Sequence, residues 1–312
     1  MNIKKTILKT TIIFILIHMN YLFASVVQPS EVYAEAMKIN KELTIIQQAL
    51  KIKNPTTTQE HIKLFNTNLK PRHVWQKTYL VLVKINVLRK NHNLPRVEEV
   101  AVEPVLNLAP DLVYGMTQRI LTELRIFKRL KNITTKITPT KTYKDKKPID
   151  VFNLMHKNSL KLDKINKNQI KPSDVYAQVM RLHEDISQIF KYLSITDTTV
   201  PPLKNINSKP KDAYIAVLKL IDTIQKIQLK MGLTITNFDT FRNNNIQPSD
   251  VINMVMMAIS EIQPIKSYIG LKTQVTPPAK SYQHKVPADV EQLLYWNVKR
   301  IVIINESKLK NK

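Results

Sequence analysis

His183-Glu184-Asp185 is the densest run of titratable side chains in the chain, and a histidine beside two carboxylates is material for acid–base catalysis or a metal site. Adjacent residues on a helix point in different directions, so the triplet cannot converge on one reacting atom and is expected on an exposed face. The seven histidines, at positions 18, 61, 73, 92, 156, 183 and 284, show no metal-ligand spacing, and the Glu-x-x-His pairs of di-iron bundles are missing. Cysteine is absent, which removes thiol nucleophiles, thiolate ligands and a disulfide framework. Three glycines are too few for phosphate-cradling loops, dinucleotide turns or nucleophile elbows. The sequence therefore predicts no catalytic, cofactor or metal site, and an enzyme of unfamiliar design, dependent on His183 or Glu184, is the third-ranked reading.

Residues that could bind are more plentiful. Lys136, Lys141, Lys144, Lys146 and Lys147 surround Tyr143, and a cationic segment with an aromatic is a candidate docking point for a polyanion or an acidic membrane surface. Its counterpart around Lys280, Tyr282, His284 and Lys285 is weaker. Tyr33, Trp75, Tyr114 and Phe152 recur at corresponding places in successive repeats, so they either form an aromatic platform or close the ends of a core. Asn158 and Asn297 share one seam position and could meet a ligand inside a bundle or fix helix register. Glu98, Glu99 and Glu103 form the one concentrated acidic stretch.

The net charge of +24 favours an anionic partner, an envelope component or an acidic protein. The same excess of Lys, with Asn and Ile, is what an AT-rich genome produces without selection for a partner. Residues 1–24 read as a signal peptide, with Lys4, Lys5 and Lys9 ahead of an apolar run and a small residue before Ser25; an uncleaved anchor is the alternative. An exported protein, periplasmic or secreted, has little access to nucleic acid, while peripheral membrane contact stays open to it.

Elements that would position these residues are marked by a repeat. Pro29, Pro71, Pro110, Pro148, Pro172, Pro210, Pro248 and Pro287 are each followed three residues later by valine, or by Ala213 in the sixth unit. About twenty residues of helix-period sequence follow each proline, with apolar positions at +3, +7, +10, +14 and +17. Proline suits the first helical turn and an acid at +2 faces the positive end of the dipole, while Gly or Asn near +22 followed by an apolar residue is a stop signal. Charges at +13 alternate, acidic in odd units and mostly basic in even ones, and are expected to meet across helices at the surface. Pro264 falls inside the seventh helix, where an interior proline predicts a kink or an early end.

Units 1 to 4 resemble units 5 to 8 in order, as in Pro29-Ser30-Glu31-Val32-Tyr33-Ala34 against Pro172-Ser173-Asp174-Val175-Tyr176-Ala177. The expected fold is all-α: eight helices in a tandem duplication of a four-helix module, at 25–167 and 168–307, with a basic tail at 308–312. Two up-down bundles are the first expectation and a continuous solenoid of helical hairpins the second. Only helices 4 and 5, joined by too few residues to return along a full helix, are required to be antiparallel or splayed. The leading functional expectation is an exported, non-catalytic binding or scaffolding protein; a small-molecule-binding or sensory bundle is the alternative.

Overall fold

The computed structural model describes residues 27–52, 69–97, 108–167, 169–237 and 245–307. The predicted leader at 1–24, His61, the acidic stretch at 98–103 and the tail at 308–312 lie outside them. Among the described residues there are eight α-helices and no strand: α1 (Pro29–Ala49), α2 (Pro71–Asn91), α3 (Pro110–Leu130), α4 (Pro148–Ile165), α5 (Pro172–Tyr192), α6 (Pro210–Lys230), α7 (Pro248–Ile269) and α8 (Pro287–Ser307). None of the described helices is long and apolar enough to cross a membrane.

Both ends of the repeat work locally as the sequence predicts. Each helix begins at its proline, whose missing N–H would have had no partner in the first turn. In seven helices the residue at +2 then accepts the backbone N–H of the residue before the proline, at 2.7–2.9 Å. The acceptor is a carboxylate in six of them, and in α2 it is Nδ1 of His73. At the other end Lys51, Asn93, Asn132, Lys167, Ser194, Gly232 and Gly270 all take positive φ. After six of these the next N–H bonds the carbonyl five residues back, for example Ile133 to Lys128 at 2.9 Å and Leu271 to Lys266 at 2.9 Å. Helix α7 runs through Pro264 to Ile269, so the interior proline does not end it.

Helix direction differs from the up-down expectation. Pro29, Pro71, Pro110 and Pro148 meet with Val32, Val74, Val113 and Val151 around one small gap, and the four prolines of α5–α8 meet in the same way with Val175, Ala213, Val251 and Val290. All four helix starts of each group are therefore at one end, and the four helices run parallel. Cross-helix bonds agree: Asn40 reaches Asn158, eleven and ten residues from their prolines, and Glu42 reaches Lys128, thirteen and eighteen residues along. The physical reason is phase. When every unit is one helix plus one connection, the same residues come to the same level only if each connection carries the chain back to the starting end. A connection such as 131–147, extended at about 3.3 Å per residue, easily spans a helix of about 31 Å.

In each group the helices form a ring in which consecutive helices are not always neighbours. Helix α1 packs on α3 and α4, and α2 packs on α3 and α4; α5 packs on α7 and α8, and α6 on α7 and α8. The two rings are joined through α2 and α7. Arg72 and His73 at the start of α2 meet Glu261 well along α7, whereas Lys84, further along α2, meets Ser249 at the start of α7. The bundles thus lie antiparallel to one another, which also sets α5 antiparallel to α4. Because α2 and α7 face both their own ring and the other bundle, they are buried nearly all round, including the continuous runs Tyr79–Val83 and Val255–Ile259.

The glycines separate helix-interior strain from helix-end necessity. Gly115 sits inside α3 with nothing close to where a Cβ would go, while Gly270 has φ of 104° and an added Cβ would lie 2.5 Å from the Tyr192 hydroxyl. Gly115→Ala is expected to stabilise the fold by about 0.5–1 kcal/mol, and Gly270→Ala to destabilise it by about 1 kcal/mol or more. Denaturant unfolding of the two variants beside the parent checks both signs.

Candidate functional site

The antiparallel docking of the bundles leaves a cleft of about 680 Å³ between the far end of α2, the start of α5 and the α7–α8 connection. Its base is apolar, from Val83, Val87 and Leu94 of the first bundle and Ala177 of the second. Around this base stand Lys90 and Arg96, Lys171, and Lys280 with His284. Asp174 is the only carboxylate among the described lining residues. The start of α5, with the positive end of its dipole, opens on the same space.

Asp174 records the character of the cleft. Burial pushes its carboxyl above the usual aspartate value, even though the Lys171 N–H it accepts at 2.8 Å and the nearby Lys90, Arg96 and Lys171 charges pull it down. One of its oxygens caps α5, and its single charge is set against several cations around the cleft. A space of this size, with an apolar floor and convergent cations, suits the binding of an anion that carries some apolar or ring surface. Lys280 also reaches Glu184 at 3.4 Å, at the exposed rim.

The walls are held by polar contacts that cross between bundles. Arg181 of α5 lies over the Tyr79 ring of α2 at 4.2 Å, while its Nε donates to the Pro277 carbonyl at 2.8 Å and Nη1 to Gln178 at 3.0 Å. Asn86 pins the chain leaving α2 by donating to the Val97 carbonyl and accepting its N–H. On the seam itself, Lys84 and Ser249 share the Asp163 carboxylate at 2.6 and 2.9 Å, and Lys77 donates to Asn253. Burial, then the neighbouring Lys84 charge, holds the Lys77 amine well below the ordinary lysine value. His73 bridges the bundles, since its Nδ1 accepts the Lys70 N–H at 2.9 Å and its Nε2 lies 2.7 Å from Glu261.

The structure distributes the residues singled out in the sequence differently from one another. Lys136, Lys141, Lys144 and Lys147 are exposed along the α3–α4 connection, which lies against α1. Tyr143 packs edge-on against Tyr33 at 4.9 Å, Lys146 lies over the Tyr33 ring at 4.8 Å, and the Lys146 N–H bonds Ser30. The aromatics do not present one open stacking face: Trp75 and Phe152 are buried, Tyr33 is covered by Tyr143, and Tyr114 is half-buried. The weaker counterpart segment is the one drawn into the cleft, where Tyr282 packs on Tyr176 at 5.0 Å.

Asn158 and Asn297 each tie neighbouring helices. Asn158 accepts from Asn40 at 2.7 Å and donates to the Ala36 carbonyl at 2.9 Å, and Asn297 Oδ1 meets His183 Nδ1 at 2.7 Å. The triplet at 183–185 points three ways, but Asp185 is fully buried rather than exposed, bonded to Lys266, Thr276 and Gln263. Three of the +13 acids meet bases across helices, inside the bundle and with partners at +18: Glu42 with Lys128, Glu123 with Arg89 and Asp185 with Lys266, at 2.6–2.7 Å, whereas Glu261 meets Arg72 and His73 of the other bundle. Side-chain direction explains the offset of about one and a half turns, because long side chains on a helix lean toward its start, so in parallel rods the base at +18 reaches back to the acid at +13.

The cleft was not legible as a site because the repeat phase encodes each ring and says nothing about which faces of the two rings meet. The signal that could have exposed it was the nearly all-round apolar character of α7, which marks a helix buried on two sides; α2 shows it only over Tyr79–Val83 and buries His73, Gln76, Lys77 and Lys84 as well. Comparison with protein families, with curated proteins and with solved structures gives no match, so the site is read from its own geometry.

His73 on the seam, with His92 and His183 in the two bundles, makes stability depend on pH. Burial lowers the affinity of His73, His92 and His183 for protons, with Arg72, Lys131 and Arg300 respectively acting in the same direction. Below about pH 6.5 the unfolded chain then takes up protons that the folded chain refuses, so stability is present above that pH and is lost as pH falls through the lowered folded values. Thermal melts are expected to drop in this window, above the carboxylate range, and His73→Gln to flatten the dependence relative to the parent.

Proposed function

We propose that this protein is a non-catalytic binding protein whose ligand is anionic and is held in the cleft between the two bundles. The observation that carries this reading is the convergence of Lys90, Arg96, Lys171 and Lys280 on a ligand-sized space whose lining offers a single carboxylate, itself engaged in a helix cap. Four cations facing a single lining carboxylate give the cleft a positive potential, which favours entry and binding of an anion. The apolar base and Tyr282 would contact the non-charged part of the ligand, and the cap at the start of α5 would orient it. The predicted leader would place this binding outside the cytoplasm, with an envelope component as its natural source.

A second reading, docking of a larger anionic partner on the α3–α4 connection, is supported by the exposure of Lys136, Lys141, Lys144 and Lys147. Titration calorimetry with inorganic tripolyphosphate separates the two. Lys90→Glu with Arg96→Glu is expected to weaken binding at least about tenfold, because two favourable charge contacts become repulsive. Lys136→Glu with Lys144→Glu is expected to leave it within about twofold. The opposite pattern would move the site to the connection, and absence of binding to the parent protein would remove the reading.

A further inference from the structure

On the side of the second bundle, the connection from α5 to α6 carries Val200, Leu203 and Ile206, which are 68%, 99% and 82% exposed. Single exposed apolar residues are ordinary, but three within seven residues on a fixed segment are not. The segment is fixed by successive rungs of α8. Arg300 holds Asp197 at 2.7 Å, Trp296 donates to Thr199 at 2.8 Å, Gln292 donates to the Pro202 carbonyl at 2.7 Å, and Asp289 holds Lys204 at 2.6 Å. The chain thereby descends α8 to its first turn, and Leu203 and Ile206 are delivered to the end of the bundle where all four helix starts gather.

Exposed lysines also stand at this end, beside the half-buried first-turn acids. Lys204 lies between Leu203 and Ile206 in sequence, and exposed Lys209 and Lys211 flank Pro210 at the start of α6. Apolar tips interleaved with lysines match a surface that is greasy beneath and negatively charged at its rim. The Pro202 carbonyl has its partner on α8, and the Val200 carbonyl has Lys299 at 3.4 Å, so the chain that carries the tips is held in place.

We infer that this end of the second bundle docks on an anionic lipid surface, with Leu203 and Ile206 entering the headgroup layer and Lys209 and Lys211 meeting lipid charge. The contact uses none of the cleft residues and stands or falls separately from the cleft. Co-sedimentation of the full chain with vesicles of mixed phosphatidylglycerol and phosphatidylcholine, against phosphatidylcholine alone, tests it. Retention is expected on the anionic vesicles and to weaken with salt. Leu203→Ser with Ile206→Ser, at exposed positions that leave the helices intact by circular dichroism, is expected to lower the vesicle partition at least about tenfold. Lys209→Glu with Lys211→Glu is expected to abolish the preference for anionic lipid. Retention unchanged in the Leu203/Ile206 variant, equal retention on both vesicle types, or a self-associated state in sedimentation equilibrium that the same variant dissolves would each overturn the inference.

Discussion

Everything in this molecule follows from bringing four helix starts to one level. A ring of four prolines and four small apolar residues closes the end of each bundle, and it can do so only if the rods are parallel. Parallel rods are electrostatically awkward, since each helix start carries about half a positive charge and four of them gather at one face. Two features offset this. Carboxylates at the +2 positions cap the starts in six of the eight helices, and the two bundles dock head to tail, so that the positive end of one lies beside the negative end of the other.

Parallel packing also decides what the buried charges can do. Pairs such as Asp185 with Lys266 are fully enclosed, and removing such ions from water costs several kcal/mol before their attraction is counted. They are weak evidence for added stability. Their repetition, from +13 of one helix to +18 of a neighbour in three places, makes better sense as selection of neighbours. Apolar columns recur at the same positions along the helices, interrupted only by Thr78, Thr117, Asn158 and Asn297, and would by themselves permit many orders around a ring, whereas an unpaired buried charge would strongly penalise a wrong one. Asn158 and Asn297, each between the first and last helix of a ring, act in the same way.

How much of this the sequence carried depends on the range of the interaction. Helix starts and stops are set by residues a few positions apart, and the prolines, the +2 acids and the stops at Lys51, Asn93, Asn132, Ser194, Gly232 and Gly270 were readable, whereas the positive φ of Lys167 and Asp145 was not. Direction was readable in principle from the shared phase of the prolines, but long connections such as 131–147 permit a helix to run either way, so length alone did not decide it. The cleft was beyond reach for a different reason. It depends on α2 of one ring meeting α7 of the other, a pairing of non-equivalent helices that no comparison of repeat units contains. The four aromatics at the helix starts left a platform and a core closure both open, because equal positions in sequence place rings at one level without saying which way they turn; Trp75 and Phe152 turn inward, while Tyr33 takes a cover from Tyr143.

Parallel topology also determines where binding surfaces can arise. In an up-down bundle a connection is a short turn at one end, but between parallel helices it must return the chain along the length of a helix, and the described return segments use the journey. The α3–α4 connection lies along α1 through Lys41 and Ser30, the α7–α8 connection lies along α5 and supplies one wall of the cleft, and the α5–α6 connection descends α8 and ends in exposed apolar tips. Connections are freer to vary than the helices, because they are not bound to the apolar columns that recur every unit. The equivalent positions Asp145 and His284 illustrate this: both take the same positive φ, yet the first lies on the outside of one bundle and the second faces a basic cleft. A duplicated framework can therefore keep two identical packing solutions while its return segments acquire different chemistry, and the asymmetry of docking through α2 and α7 is what turns equivalent segments into unequal surfaces.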